Sequence, residues 1–252
     1  MINILMHGCN GKIGQVISRL VNDDPSLALV AGVDPNLNIP NPFPVFQTLN
    51  ACDVSVDVII DFSTAKAVRP LLDFAKEKQI PVIVCTTGLS QEDIAYLKEI
   101  SHSVPVFFSA NMSLGVNLLI TLAKRATEIL ADSGFDIEIV EKHHNQKIDA
   151  PSGTAVAIAD AINETLDAPY DLCYDRSTTR HKRPKKEIGM HAIRGGTIVG
   201  DHDIIFAGTD EVITLSHSAA SKEVFAVGAL KAAKFMVNKH PGLYTMAHLL
   251  DN

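Results

Sequence analysis

One stretch of this 252-residue chain gathers groups that can move protons and hold an anion: Glu138, Glu141, His143, His144, Lys147, Asp149, Ser152, Gly153 and Thr154. Histidine suits acid–base work because its ordinary pKa of about 6.5 lets it take up and release a proton near neutrality. Lys147 can bind a carboxylate, or serve as a proton donor where a neighbouring cation loosens its proton. Pro151 followed by Ser152 marks a helix start with Ser152 as N-cap, and the N–H groups of Gly153 and Thr154 fall in its first turn. Such a turn, with its free N–H groups and positive dipole end, favours a carboxylate or phosphate. The pattern suits a small dianion with a proton donor beside it.

Plainer readings of the same residues exist. Adjacent strand-end histidines point to opposite sides, so one of them can be a packed core residue. A metal site from His143, His144 and Asp149 lacks a usual ligand spacing, and no metal is expected. Ser152-Gly153-Thr154 is also an ordinary cap, and Arg194-Gly195-Gly196 reads as a hairpin turn. The basic loop over 171–189, with Arg176, Arg180, Lys182, Arg183, Lys185 and Lys186, reads as a solvated loop or as a lid over an anion.

The elements that position these groups follow from patterning. A strand over 135–142 leads into the polar loop, and a helix over about 155–166 follows it. Upstream, an apolar strand over 2–6 runs into Gly8, Gly11 and Gly14 and then a helix over about 15–22. Strand, glycine turn and helix together form the dinucleotide-binding context, here in the variant spacing G-x-x-G-x-x-G. The next strand, 27–33, ends in Asp34, where a carboxylate can accept from the ribose hydroxyls of NAD; no Arg or Lys follows through residue 44 to favour the 2′-phosphate of NADP. Further strand–helix units cover 54–78 and 81–101, and another strand covers 104–108. This rhythm predicts a doubly wound parallel α/β sheet with ligands at the carboxyl ends of its strands. After a long helix over 114–130 the rhythm stops, and strands at 191–194, 197–207 and 211–218 join the one at 135–142. They predict a smaller α+β domain with a mixed four-stranded sheet. A helix over 222–237 then returns to the first domain, so the expected division is 1–112 with 219–252 against 113–218.

A net charge of −7 argues against nucleic acid or an anionic membrane as partner, and Cys9, Cys52, Cys85 and Cys173 are too dispersed for a disulfide framework. The opening residues read as a strand rather than a targeting peptide, and a cytoplasmic location is expected. A nicotinamide site in the first domain and a proton-donating dianion site in the second describe a reductase. A semialdehyde or amino-acid dehydrogenase of the same layout would lack the H-H-x-x-K and S-G-T block, and a silent sensing module would lack the proton donors.

That block, E-x-x-E-x-H-H-x-x-K-x-D-A-P-S-G-T-A over 138–155, resembles the signature of the dihydrodipicolinate reductase family. Similar blocks lie at Gly8–Gly14, Asp61 to Thr64, Thr86 to Gly88, Ser109 to Asn117, Ile193 to His202 and Gly242 to Met246, so the resemblance spans the chain. It implies NAD(P)H-dependent reduction of 4-hydroxy-tetrahydrodipicolinate to tetrahydrodipicolinate, on the diaminopimelate route to lysine. By the family's roles His143 is the acid/base residue and Lys147 a proton donor, while His144, Gly153 and Thr154 hold the substrate carboxylates. The cofactor would lie along Gly8, Cys9, Asn10, Gly11, Lys12, Ile13, Asp34, Cys85, Thr86, Thr87, Ser109, Ala110, Asn111 and Met112. The resemblance also implies a homotetramer formed through the second domain's sheet. The chain departs from the family at Cys85, where glycine is usual, and Pro35 stands where NADPH-using members carry a basic residue. NADH is therefore the expected cofactor, with NADPH as the alternative.

Overall fold

The computed structural model describes residues 1–251. The chain opens with β1 (Ile2–His7), α1 (Lys12–Asn22), β2 (Leu27–Val33), a two-residue β3 (Val45–Phe46), β4 (Val58–Asp61), α2 (Ala65–Lys78), β5 (Val82–Val84), α3 (Gln91–Ile100) and β6 (Pro105–Phe108). Next come α4 (Leu114–Leu130), β7 (Asp136–His143), α5 (Gly153–Asn163), β8 (Asp171–Cys173), β9 (Glu187–Arg194), β10 (Gly200–Ala207) and β11 (Val212–Ala219). The chain closes with α6 (Glu223–Met236), β12 (Gly242–Tyr244) and α7 (Met246–Leu250). Two compact units result, one from 1–114 with the described residues from 223 onward and the other from Gly115–Lys222.

In the first unit seven strands lie in the order β12-β6-β5-β4-β1-β2-β3, and every neighbouring pair is parallel. Parallel strands buried on both faces need near-continuous apolar runs, and Val58-Ile59-Ile60 and Val82-Ile83-Val84 are such runs with no exposed side chain. One face packs Ile4, Met6 and Ile60 against Ile17 and Val21 of α1 and Ala229 and Ala233 of α6. The other packs Leu5, Ile59 and Val84 against Leu71 and Leu72 of α2 and Leu97 of α3. The sheet is therefore wound on both sides, and the carboxyl ends of β1, β2, β4, β5 and β6 carry the candidate cofactor loops.

The second unit contains a mixed sheet of five strands, β11-β10-β7-β9-β8, rather than four. The extra strand, β8, pairs parallel to β9 from Asp171 to Cys173. Its three residues begin with an exposed aspartate and sit inside a polar stretch, so no period-2 pattern marks them. Side chains alternate across β7, so Ile137, Ile139, Glu141 and His143 share the buried face. Ile158, Ala159 and Ile162 of α5 and Leu119 and Ala123 of α4 cover the apolar part of that face. The inward positions turn polar at one end of the sheet: Glu141 and His143 on β7, Arg194 on β9 and His202 on β10. The candidate site is built there.

Candidate active site

Glu141 organises this polar end. Its side chain is almost fully buried, and its carboxylate accepts from His143 Nδ1 at 2.6 Å, from Arg194 Nη1 and Nη2 at 2.7 Å each, and from the Ser152 backbone N–H at 3.0 Å. Burial alone would raise this carboxyl, but the Arg194, His143 and Ser152 hydrogen bonds hold it below the ordinary range. Because Glu141 takes the hydrogen on Nδ1, the other ring nitrogen of neutral His143 is left as the acceptor. That nitrogen lies over the backbone of Gly200, where an added Cβ would come within 3.1 Å of it. Any larger residue at 200 would crowd the imidazole and push it by a few tenths of an ångström.

The same carboxylate fixes the start of α5. Ser152 is the N-cap, its Oγ accepts from the Ala155 N–H at 3.1 Å, and it also lies 3.0 Å from His202 Nε2. His202 stacks edge-on against His143 with ring centroids 5.3 Å apart. A Cβ added at Gly153 would meet nothing within 4 Å, so the first turn of α5 is open where the sequence places an anion. His144 is half-buried next to the buried His143, so the histidine pair does divide between two environments. Lys147 Nζ contacts both carboxylate oxygens of Asp149, at 2.7 and 2.8 Å, and holds that carboxyl below its usual range.

Arg194, read above as part of a turn, belongs to both the turn and the site. Gly195 N–H donates to the His143 carbonyl and Asn145 N–H to that of Gly196, so the turn braces the histidine loop. Arg194 meanwhile clamps Glu141 and donates to the Asp149 carbonyl at 2.6 Å. The basic loop is solvated at Arg180, Lys182, Lys185 and Lys186, while its other two arginines are tied down. Arg183 donates to Glu138 at 2.9 Å, to Asp136 at 2.8 Å and to the carbonyls of Ile137 and Glu187, while Arg176 pairs with Glu187. Two of its arginines are thus strapped to the sheet by carboxylates on the face opposite the histidines.

In the first unit the predicted cofactor residues fall into two groups. Gly8 has φ +82°, and a Cβ there would strike the Phe62 carbonyl at 2.6 Å, so only glycine permits the turn out of β1. The first turn of α1, reached through Cys9, Asn10 and Gly11 and beginning at Lys12 and Ile13, has neither a side-chain cap nor an acidic residue, which fits a pyrophosphate. Asp34, at the end of β2, accepts from Asn10 N–H at 3.0 Å and Asn36 N–H at 2.9 Å. The second group surrounds a cavity of about 240 Å³ lined by Cys85, Thr86, Thr87, Ala110 and Met112, with Phe62, Ser63 and Phe225. Ser109 and Asn111 brace its loop, Ser109 Oγ donating to the Asn111 carbonyl at 2.7 Å. Burial pushes the Cys85 thiol well above its ordinary pKa, so it serves as an apolar wall rather than a nucleophile. Phe225 comes from α6, far along the chain, and no local pattern announces it.

A doubly wound sheet with an uncapped glycine turn, joined to a unit holding a Glu–His pair at a helix start, places the protein among the pyridine-nucleotide-dependent reductases. The sequence model for the dihydrodipicolinate reductase N-terminus matches residues 2–112 and that for its C-terminus residues 115–250. The chain belongs to the dihydrodipicolinate reductase family. It is 54% identical over 250 residues to the 4-hydroxy-tetrahydrodipicolinate reductase of Caldanaerobacter subterraneus subsp. tengcongensis, covering 99% of this chain and 98% of that protein. It is 46% identical to the enzyme of the same name from Clostridium tetani, covering 100% and 98%. A dipicolinate-bound dihydrodipicolinate reductase from Paenisporosarcina sp. TG-14 shares the fold with a TM-score of 0.82 at 24% identity, over 97% of each chain.

Proposed function

We propose that this chain reduces 4-hydroxy-tetrahydrodipicolinate to tetrahydrodipicolinate in diaminopimelate and lysine biosynthesis. The observation that carries the reading is the Glu141 carboxylate, which ties the imidazole of His143 and the first turn of α5 to one buried point. A proton-handling group and an anion cradle are thereby fixed side by side. When bound, the nicotinamide supplies the hydride. His143 acts as the acid/base residue and Lys147 as proton donor; Asp149 holds the lysine ready until substrate competes for it. His144 and the first-turn backbone of Gly153 and Thr154 take the substrate carboxylates. Gly8 to Ile13 and Asp34 hold the pyrophosphate and ribose, and the cavity at Cys85–Thr87, with the Ser109–Met112 loop, takes the nicotinamide end.

NADH is preferred over NADPH in this proposal. The Asp34 carboxylate is buried at the end of β2 and followed by Pro35, so a 2′-phosphate would meet a negative charge with no adjacent cation. The enzyme is proposed to work as a cytoplasmic homotetramer.

Adding the aldol product of pyruvate and aspartate semialdehyde to enzyme and NADH tests the reaction through loss of NADH absorbance. His143→Gln is expected to lower kcat by about a hundredfold or more, the scale of one lost acid–base group. No NADH consumption by the wild type, or full turnover in His143→Gln combined with Lys147→Ala, overturns the proposal. A lower KM for NADPH than for NADH overturns the cofactor preference alone.

A further inference from the structure

His7, Asp61 and Ser63, at the carboxyl ends of β1 and β4, form a polar cluster with Thr86 of the cofactor loop, and no role above explains the first three. Asp61 is fully buried at the end of β4. Its Oδ1 accepts from His7 Nδ1 at 2.8 Å, from Ser63 N–H at 3.2 Å and from Ser63 Oγ at 2.6 Å; its Oδ2 accepts from Thr86 Oγ1 at 2.7 Å. An ionised carboxylate only accepts hydrogen bonds, and a hydroxyl has one hydrogen to give and two lone pairs. The hydroxyl hydrogens of both Ser63 and Thr86 are thus committed to Asp61. Toward anything else, those two oxygens can only accept.

Ser63 and Thr86 are also walls of the 240 Å³ cavity, together with the apolar surfaces of Phe62, Cys85, Met112 and Phe225. A ligand group meeting the Ser63–Thr86 wall must therefore bring its own hydrogens. A carboxylate there would face oxygen lone pairs with a buried negative charge behind them, and a ketone would leave the hydroxyl oxygens without a donor. We propose that Asp61, acting through Ser63 and Thr86, makes this cavity selective for a ligand bearing N–H donors, the carboxamide of a nicotinamide, over its carboxylate and ketone counterparts. This rests on the reading that the first unit binds NAD(P)H. Asp61 and His7 are positioning residues here: His7 donates to the same carboxylate oxygen as Ser63 and helps hold it in place.

The test compares three dinucleotides binding to the full chain by titration calorimetry: NADH, reduced 3-acetylpyridine adenine dinucleotide, and reduced nicotinic acid adenine dinucleotide. Wild type is expected to bind NADH about tenfold more tightly than the acetyl analogue, the scale of one lost hydrogen bond, and to discriminate more strongly against the acid. Thr86→Val keeps the side-chain shape without the hydroxyl and is expected to shrink both ratios, with Thr86→Ser restoring them. Asp61→Asn, if it folds, is expected to improve binding of the acid analogue relative to NADH. Because Asp61 is buried and that variant can fail to fold, Thr86→Val and Ser63→Ala carry the test. Tight NADH binding with ratios near one in wild type, or ratios unchanged in both Thr86→Val and Ser63→Ala, overturns the proposal and leaves the cofactor reading standing. If wild type binds none of the three, the cofactor reading fails and this selectivity falls with it.

Discussion

His202 neighbours His143 yet is held in a different state. Burial first, and then the neighbouring His143 imidazole, push its pKa down to about 4, so it is neutral near pH 7 and pairs there with the Ser152 hydroxyl. Its folded pKa lies below its unfolded value, so between the two the unfolded chain binds more protons, and stability falls as pH drops from about 6.5 toward 4. A shift of this size is worth on the order of 3 kcal/mol. Urea melts at pH 7 and pH 5 should show wild type losing more stability on acidification than His202→Gln; equal losses would refute the assignment. Glu141 poses a different question. Removing its charge leaves Arg194 without its clamp in a largely buried site, so Glu141→Gln should cost about 3 kcal/mol. The double variant Glu141→Gln with Arg194→Met should cost less than the sum of the two single changes. Simple additivity in denaturant melts would mean that the clamp is not the energetic link it looks to be.

At the scale of elements, α5 joins stability to the site. Ser152→Ala removes both the N-cap acceptor and the hydroxyl that meets buried His202, for an expected loss of about 2 kcal/mol with the urea m-value unchanged. Ser152→Thr should recover most of it, since threonine also caps; no recovery would point to a packing effect instead. This helix start was legible in the sequence because Pro-Ser-Gly-Thr is a local signal, and the Gly8–Gly14 turn was legible for the same reason. Glu141 and His143 were visible as residue types, and their shared face follows from strand alternation. Arg194 was read only as a turn because its partner Glu141 is far away in sequence and becomes its neighbour only through the pairing of β7 with β9. Phe225, and the meeting of His7 with Asp61, were hidden likewise, one by a distant helix and the other by the parallel pairing of β1 with β4. The short strands β3, β8 and β12 escaped because two or three residues cannot display a period.

At the scale of the whole molecule, the face of the second sheet opposite α4 and α5 is the feature to explain. No described helix of that unit covers it, and its side chains include Val140, Ile205, Ile193 at 47% exposure and Val212 at 62%. Most of its charges meet partners within the chain: Lys142 with Asp203 at 2.9 Å, Arg183 with Asp136 and Glu138, and His191 with Glu138 at 2.8 Å, while Asp201 accepts from the Ser218 hydroxyl. A face whose cations are already engaged within the chain and whose apolar groups are uncovered is suited to meet a copy of itself through those apolar groups. The proposed homotetramer should therefore rest on apolar contact rather than on ion pairs between chains. Light scattering behind size-exclusion chromatography should give the mass of four chains, and the assembly should persist in about 1 M salt, where the Debye length falls to about 3 Å. Ile205→Glu should shift the population to smaller species while far-UV circular dichroism stays native. A monomeric wild type would dismiss the interface, and dissociation by salt alone would show that charges between copies, not the apolar stripe, hold it together.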